Sequence, residues 1–163
     1  MTRRILGAAV LLITTGRGAS SQTEFPELIG VDSVGVYVKE FKHNVLVAGI
    51  DSFAVRTQIE VALRSRGVRV HPVWNAPDSP KHYIAAEIQI VARPSAGVLA
   101  YLVVLSLNGP VRSMTTSRVL YIDIWNRSEV GIASIPEASA RIRQAIERMT
   151  DLFTNNWLEA NPR

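Results

Sequence analysis

The sequence contains no cysteine, and this absence excludes three kinds of chemistry at once. Disulfide bonds, thiolate nucleophiles and cysteine metal sites all require that residue, so side-chain packing alone must stabilise the fold. A bacterial lipid anchor would also need a cysteine at the point of signal cleavage. We therefore expect the chain to carry no lipid anchor of its own.

Long apolar runs and long basic runs are missing as well. The apolar stretch near the N-terminus covers residues 5–15, whereas a bilayer-spanning helix needs about 20 such residues. No basic run exceeds two residues, and three of the arginines behind the formal charge of +4 lie in the N-terminal segment: Arg3, Arg4 and Arg17. The sequence therefore predicts no stable membrane span and no nucleic-acid partner.

The N-terminal segment has the order of features of a secretory signal. Two arginines precede the apolar run 5–13, and a small-residue segment follows at 16–20. We predict a signal peptide at 1–20 cleaved after Ser20, with cleavage after Gly18 as the next choice. The alternative is an amphipathic helix of the folded domain, but the run has no polar face. A periplasmic or secreted protein is expected, with a leader at 21–30 and one domain at 31–163.

Apolar periodicity predicts strands and two helices along that domain. The predicted strands are 31–39, 68–74, 82–92, 98–107 and 118–125, followed by a turn at 126–129 and a short return at 130–133. Asp51 is expected to cap the first helix and Gly67 to end it. A capping box at 134–137 is expected to begin the second helix, which Asn161 and Pro162 stop.

The order of these elements predicts an α+β two-layer sandwich (β-α-β-β-β-(β)-α). Four or five mostly antiparallel strands form the sheet, and both helices cover one face of it. The first strand, the first helix and the second strand are expected to make one right-handed crossover.

The element order over 31–161 resembles that of small bacterial envelope proteins, namely the lipopolysaccharide-assembly lipoproteins and the auxiliary lipoproteins of ABC-type lipid-transport systems. This chain differs from them in having no cysteine to lipidate. The closing segment 151–162 is also similar to the ends of uncharacterised exported bacterial proteins. The resemblance implies an envelope location.

Histidines are the main candidates for catalysis because they titrate near neutral pH. His71 and His82 flank the proline-rich loop 75–81, which offers Asp78 as a third metal ligand, and His43 lies before the first helix. Spacings such as H-x-x-x-H are absent, as are nucleophile-elbow, P-loop and dinucleotide motifs. Surface or strand-end histidines are the simpler interpretation, and a small histidine- or metal-dependent hydrolase is the alternative. No cofactor and no metal are expected.

The strand 98–107 is apolar on both faces, although the helices of a two-layer sandwich cover only one. The leader 25–29 or the loop around Trp74 would cover the second face in the simpler case. Otherwise that face is a dimer interface or a groove for an acyl chain or a partner protein. The candidate binding residues are Tyr101, Val103, Leu105 and Trp125.

These observations favour an exported, non-enzymatic binding or assembly module of the bacterial envelope. Its expected partner is an envelope protein, a lipid-like ligand or a second copy of the chain. A structural subunit of a larger envelope complex fits the same sequence.

Overall fold

The computed structural model describes residues 24–39, 48–71 and 81–162, which form one sheet and two helices. This confirms the predicted α+β class. The strands and helices, in chain order, are β1 Ser33–Val38, α1 Ser52–Ser65, β2 Arg69–His71, β3 His82–Arg93, β4 Val98–Arg112, β5 Val119–Ser134 and α2 Ala138–Ala160. The predicted signal peptide, His43, Trp74 and Asp78 lie outside the described residues.

The five strands lie in the order β2-β1-β3-β4-β5. β1 runs parallel to both of its neighbours, β2 and β3, whereas β3, β4 and β5 form a long antiparallel meander. Antiparallel pairing therefore dominates by length. β2 and β5 are the two edge strands of this sheet.

Both helices pack on the same face of the sheet, and the core lies between the two layers. Because successive strand residues point to opposite faces, each strand supplies every second residue to this core. β3 contributes Ile84, Ala86, Ile88 and Ile90, as its alternation predicts. α1 contributes Val55, Ile59 and Leu63, and the fully buried α2 side chains include Ile142, Ile146 and Phe153.

The ends of α1 follow the local signals in the sequence. The Asp51 side chain accepts hydrogen bonds from the backbone N–H groups of Phe53 and Ala54, at 3.2 and 3.1 Å. Gly67 adopts a φ of +83°, a conformation that a side chain would strain. Both predicted helix boundaries are therefore confirmed.

The predicted capping box before α2 is wrong. Ser134 makes no side-chain capping bond, because it is still paired with Val98 in the sheet. A short 3₁₀ turn, Ile135–Glu137, joins β5 to α2 instead, and Ile135 donates its backbone N–H to the Gly97 carbonyl at 3.0 Å. The sheet thus sets the start of this helix.

β5 is one continuous strand, so the predicted turn at 126–129 and the separate return strand are also wrong. The polar residues there need no turn because β5 lies at the sheet edge. Asn126 and Ser128 are exposed on the face opposite the helices. Glu129 lies on the helix side and forms an ion pair with Arg148 of α2.

The described part of the leader packs on the helix side of the molecule. Leu28 is fully buried in the core. Asn161 accepts a hydrogen bond from the Gly30 N–H and donates one to the Leu28 carbonyl, both at 2.9 Å. Trp157 donates its indole N–H to the Val31 carbonyl. Residues 24–30 therefore do not cover the other face of the sheet.

Candidate binding surface

The face of the sheet opposite the helices, here called the open face, changes in character along its length. Directly opposite residues on β3, β4 and β5 form rows, since paired residues of antiparallel strands point to the same side. Beyond the terminal row of Arg93, Val98 and Ser134, two rows are mostly apolar: the first is Val91, Ala100 and Ile132, and the second is Gln89, Leu102 and Val130. The next rows mix polar and apolar residues: Glu87, Val104 and Ser128, then Ala85, Ser106 and Asn126.

We define the apolar patch as Val91, Ala100, Leu102, Val130 and Ile132. The side chains at its rim are strongly exposed, with 68% for Val91, 73% for Val130 and 77% for Ile132. A shallow groove of about 200 Å³ runs across this end of the face, between Arg93, Val98 and the first row. Single exposed apolar residues are common on protein surfaces, but contiguous ones on three strands indicate an interaction surface.

The predicted binding residues of β4 lie on the opposite face from the one assigned to them. Tyr101, Val103 and Leu105 are 6%, 0% and 0% exposed, and they pack beneath the helices. The open face is formed by the intervening residues of the same strand, including Ala100 and Leu102. The expectation of an apolar second face therefore holds, but different side chains form it.

Trp125 is also buried, at 4% exposure. Its ring packs edge-on against Phe153 of α2, with ring centroids 5.1 Å apart and planes at 72°. The side-chain amide of Asn156, in the orientation that satisfies both its atoms, accepts from the Trp125 indole N–H at 3.2 Å. Packing of α2 against β5 therefore accounts for this tryptophan.

The open face becomes polar towards β1. Lys39 pairs there with Glu87, which also accepts a hydrogen bond from Gln89. The hydrogen bond with Glu87 is the main effect on Lys39 and raises its pKa above the ordinary value. This part of the face behaves as an ordinary solvated surface, as the outward positions of Glu87 and Gln89 predict.

A second exposed apolar region lies at the end of the β4–β5 hairpin, which extends beyond the end of β3. It contains four consecutive residues of β5, Val119, Leu120, Tyr121 and Ile122, which are between 46% and 53% exposed, and Met114 at 97%. The Tyr121 ring lies 5.8 Å from the Tyr83 ring. Leu120 and Ile122 alternate with Tyr121 as in an ordinary strand, and the exposure of both faces here follows from the overhang.

The structure does not bring His71 and His82 together. His71 is paired with Gly35, on the open face, whereas His82 is paired with Val34, on the helix side. β1 lies between them, so their backbones are about two strand spacings apart, roughly 10 Å. Among residues 24–39, 48–71 and 81–162, no three His, Asp or Glu side chains are grouped to hold a metal ion.

His82 lies against the backbone of β4. A Cβ atom placed on Gly109 would be 2.9 Å from its Cδ2 atom, so the imidazole fills the space above that glycine. Burial lowers the pKa of His82 from 6.5, while Asp32 acts in the opposite direction and Lys81 in the same one. A neutral, packed imidazole matches the interpretation of a strand-end histidine.

No helix in the described part of the chain is long and apolar enough to cross a membrane.

Comparison with known proteins gives no family. No protein-family model and no curated protein matches the chain. Similar solved structures include a minor lipoprotein from Acinetobacter baumannii, at 12% identity and a TM-score of 0.40, covering 82% of this chain and 94% of that one. They also include the PelC dodecamer from Paraburkholderia phytofirmans, at 12% identity and a TM-score of 0.41, covering 79% and 86%. Neither similarity assigns a function to this chain.

Proposed function

We propose that this protein is an exported, non-enzymatic binding or assembly module of the bacterial envelope. The observation that carries the proposal is the apolar patch, in which Val91, Val130 and Ile132 from two strands are each more than two-thirds exposed. Burying such a surface against a partner removes apolar area from water at about 25 cal/mol per Å². The fold does not need these side chains, because its core lies on the other face.

The proposed location rests on the N-terminal segment. Residues 1–20 are interpreted as a cleaved secretory signal, which delivers the domain to the periplasm or the medium. Intact-mass measurement of the protein from its host's envelope fraction tests this directly. A chain that starts at Ser21 or Ala19 supports the proposal, and a chain that keeps residues 1–18 contradicts it.

The binding surface is tested by substitutions on the patch. Native mass spectrometry of gently purified protein would compare the wild type with Val91→Glu and Ile132→Glu. We expect the wild type to carry a lipid-like ligand or another envelope protein, and both variants to lose it.

Val61→Glu is the matched control, because Val61 is 58% exposed on α1, away from the open face. This variant should keep whatever the wild type binds. A lipid-like ligand or partner protein that persists in Val91→Glu and Ile132→Glu would contradict the proposed surface, as would a wild type that carries neither.

A further inference from the structure

The outer edge of β5 offers backbone groups for strand pairing, whereas the apolar patch is formed by side chains of the open face, two of which, Val130 and Ile132, also belong to β5. β5 is 16 residues long and pairs with β4 on one side, and no other strand among the described residues pairs with its outer side. An unpaired edge presents a row of backbone N–H and C=O groups that can template another strand. The opposite edge differs in the described part of the chain, where β2 comprises Arg69–His71.

The sequence of β5 has few of the features that protect an edge. It contains no proline and no lysine, and its three charged residues are Asp123, Arg127 and Glu129. Arg127 and Glu129 lie on the same face, two residues apart, with opposite charges, and Glu129 also pairs with Arg148 of its own chain. Charges in this arrangement match a second copy of the same strand running antiparallel.

We propose that two copies of this chain pair through β5, antiparallel, about a twofold axis at Ser128. The two five-stranded sheets then form one continuous sheet with both helix layers on the same side. Such an isologous contact is the commonest form of homodimer, and strand addition at a sheet edge is a recurring mode of recognition.

The register follows from three constraints. First, directly opposite residues must point to the same face, so the twofold axis passes through a residue rather than between two. Second, an axis at Arg127 or Glu129 would place each of those charges opposite its own copy. Third, an axis at Trp125 would place the irregularity of β5 beside the centre in both copies, where Ile124 has no partner in β4.

The axis at Ser128 satisfies all three constraints. It places Arg127 of each copy opposite Glu129 of the other, which gives two identical opposite-charge pairs. It also leaves a regular ladder over 125–131, which ends at the irregularity of β5 beside Ile124. The overhanging end of the hairpin remains outside the contact.

Reversing these charges tests the contact. Arg127→Glu and Glu129→Arg each create two like-charge pairs, so each is expected to weaken dimerisation by at least about tenfold. A mixture of the two variants restores both opposite-charge pairs between unlike chains, and should form a heterodimer in sedimentation velocity. A general folding defect would not be repaired by mixing, so this result separates pairing from instability.

Because the chain contains no native cysteine, disulfide cross-linking of single-cysteine variants can determine the register of the dimer. In the proposed dimer the two copies of residue 128 lie with Cα atoms about 5 Å apart, within disulfide reach, whereas the two copies of residue 126 are about 14 Å apart. Ser128→Cys should therefore oxidise rapidly to a covalent dimer. Asn126→Cys, equally exposed and on the same face, should not.

Three outcomes would overturn the proposal: a wild-type monomer at all concentrations, cross-linking of Asn126→Cys in preference to Ser128→Cys, or no dimer in the mixed variants. None of these bears on the apolar patch, which is tested by Val91→Glu and Ile132→Glu. The two proposals can therefore fail separately.

Discussion

The contact between Tyr101 and Gly131 makes a sharp prediction about packing. These residues are directly opposite on β4 and β5, and the Tyr101 ring lies flat across the glycine. A Cβ atom on Gly131 would overlap Oη and Cζ of that ring and would lie 2.8 Å from Cε1. Gly131→Ala must therefore displace a buried aromatic side chain.

The expected cost follows from two opposing effects. Overpacking a filled site costs about 1–3 kcal/mol, while replacing glycine by alanine within a strand returns about 0.5–1 kcal/mol. These ranges combine to a net loss of about 0–2.5 kcal/mol, so Gly131→Ala should lower the free energy of unfolding by about 1 kcal/mol. In a Tyr101→Leu background the ring is absent, and the same substitution should raise the free energy of unfolding by about 0.5–1 kcal/mol.

Urea unfolding of the four proteins in this double-mutant cycle measures the change of sign. Gly49→Ala is the control, because Gly49 has a φ of +64° and a Cβ atom added to it would have no neighbour within 4 Å. Its cost is backbone strain and should be equal in both backgrounds. Equal effects of Gly131→Ala with and without the tyrosine ring would refute the reasoning.

Three further predictions concern stability. Trp125→Ala should lower the free energy of unfolding by about 3–5 kcal/mol in urea titrations, and a variant as stable as the wild type would contradict the burial of this ring. Asp51→Ala should cost about 1 kcal/mol by loss of the α1 cap, seen as a lower midpoint in thermal unfolding, whereas Asp32→Ala should change it little. Burial lowers the pKa of His82 from 6.5, so its stabilising contribution is complete above pH 6.5 and is lost as the pH falls through the lower, folded-state pKa. His82→Gln should therefore lose less stability than the wild type between about pH 7 and pH 5, and identical pH profiles would show that the histidine is not desolvated.

Local signals in the sequence were sufficient for much of the fold. The polar alternation of β3, the cap at Asp51 and the glycine at 67 each act within a few residues, so they predict their elements without knowledge of the tertiary structure. The apolar stripe of α2 likewise predicts most of its buried residues, although Leu152, which belongs to the stripe, is 40% exposed. These predictions agree with the structure.

Which face of β4 points to the helices depends on its pairing register with β3, and the sequence-based prediction assigned the two faces incorrectly. A five-residue connection at 93–97 would pair Ala92 with Val98 and turn Tyr101 away from the helices. The structure has a four-residue connection, the 3₁₀ turn Pro94–Ala96 followed by Gly97 at a φ of +66°, which pairs Arg93 with Val98. A shift of one residue exchanges the two faces of a strand. Counting apolar residues along β4 therefore cannot determine which face is buried unless the geometry of this turn is known.

The length of β5 was missed for a different reason. A polar run such as 126–129 is typical of a turn and is not expected within a central strand. At the edge of a sheet, where one side of the strand meets solvent, the same residues are compatible with strand pairing. Edge position is a property of the whole sheet. The exposure of Val130 and Ile132, on which the proposed function rests, follows from the same property.

The hydrogen bonds between Asn161 and the segment at Leu28–Gly30 join positions more than 130 residues apart. A chain that is synthesised or threaded from its N-terminus therefore cannot complete its core until the last turn of α2 has been delivered. Until then the Leu28 carbonyl lacks its hydrogen-bond partner Asn161, and the leader is not held in position. Contacts of such long sequence separation slow folding. The domain therefore closes late, only after the residues that form these hydrogen bonds have been delivered.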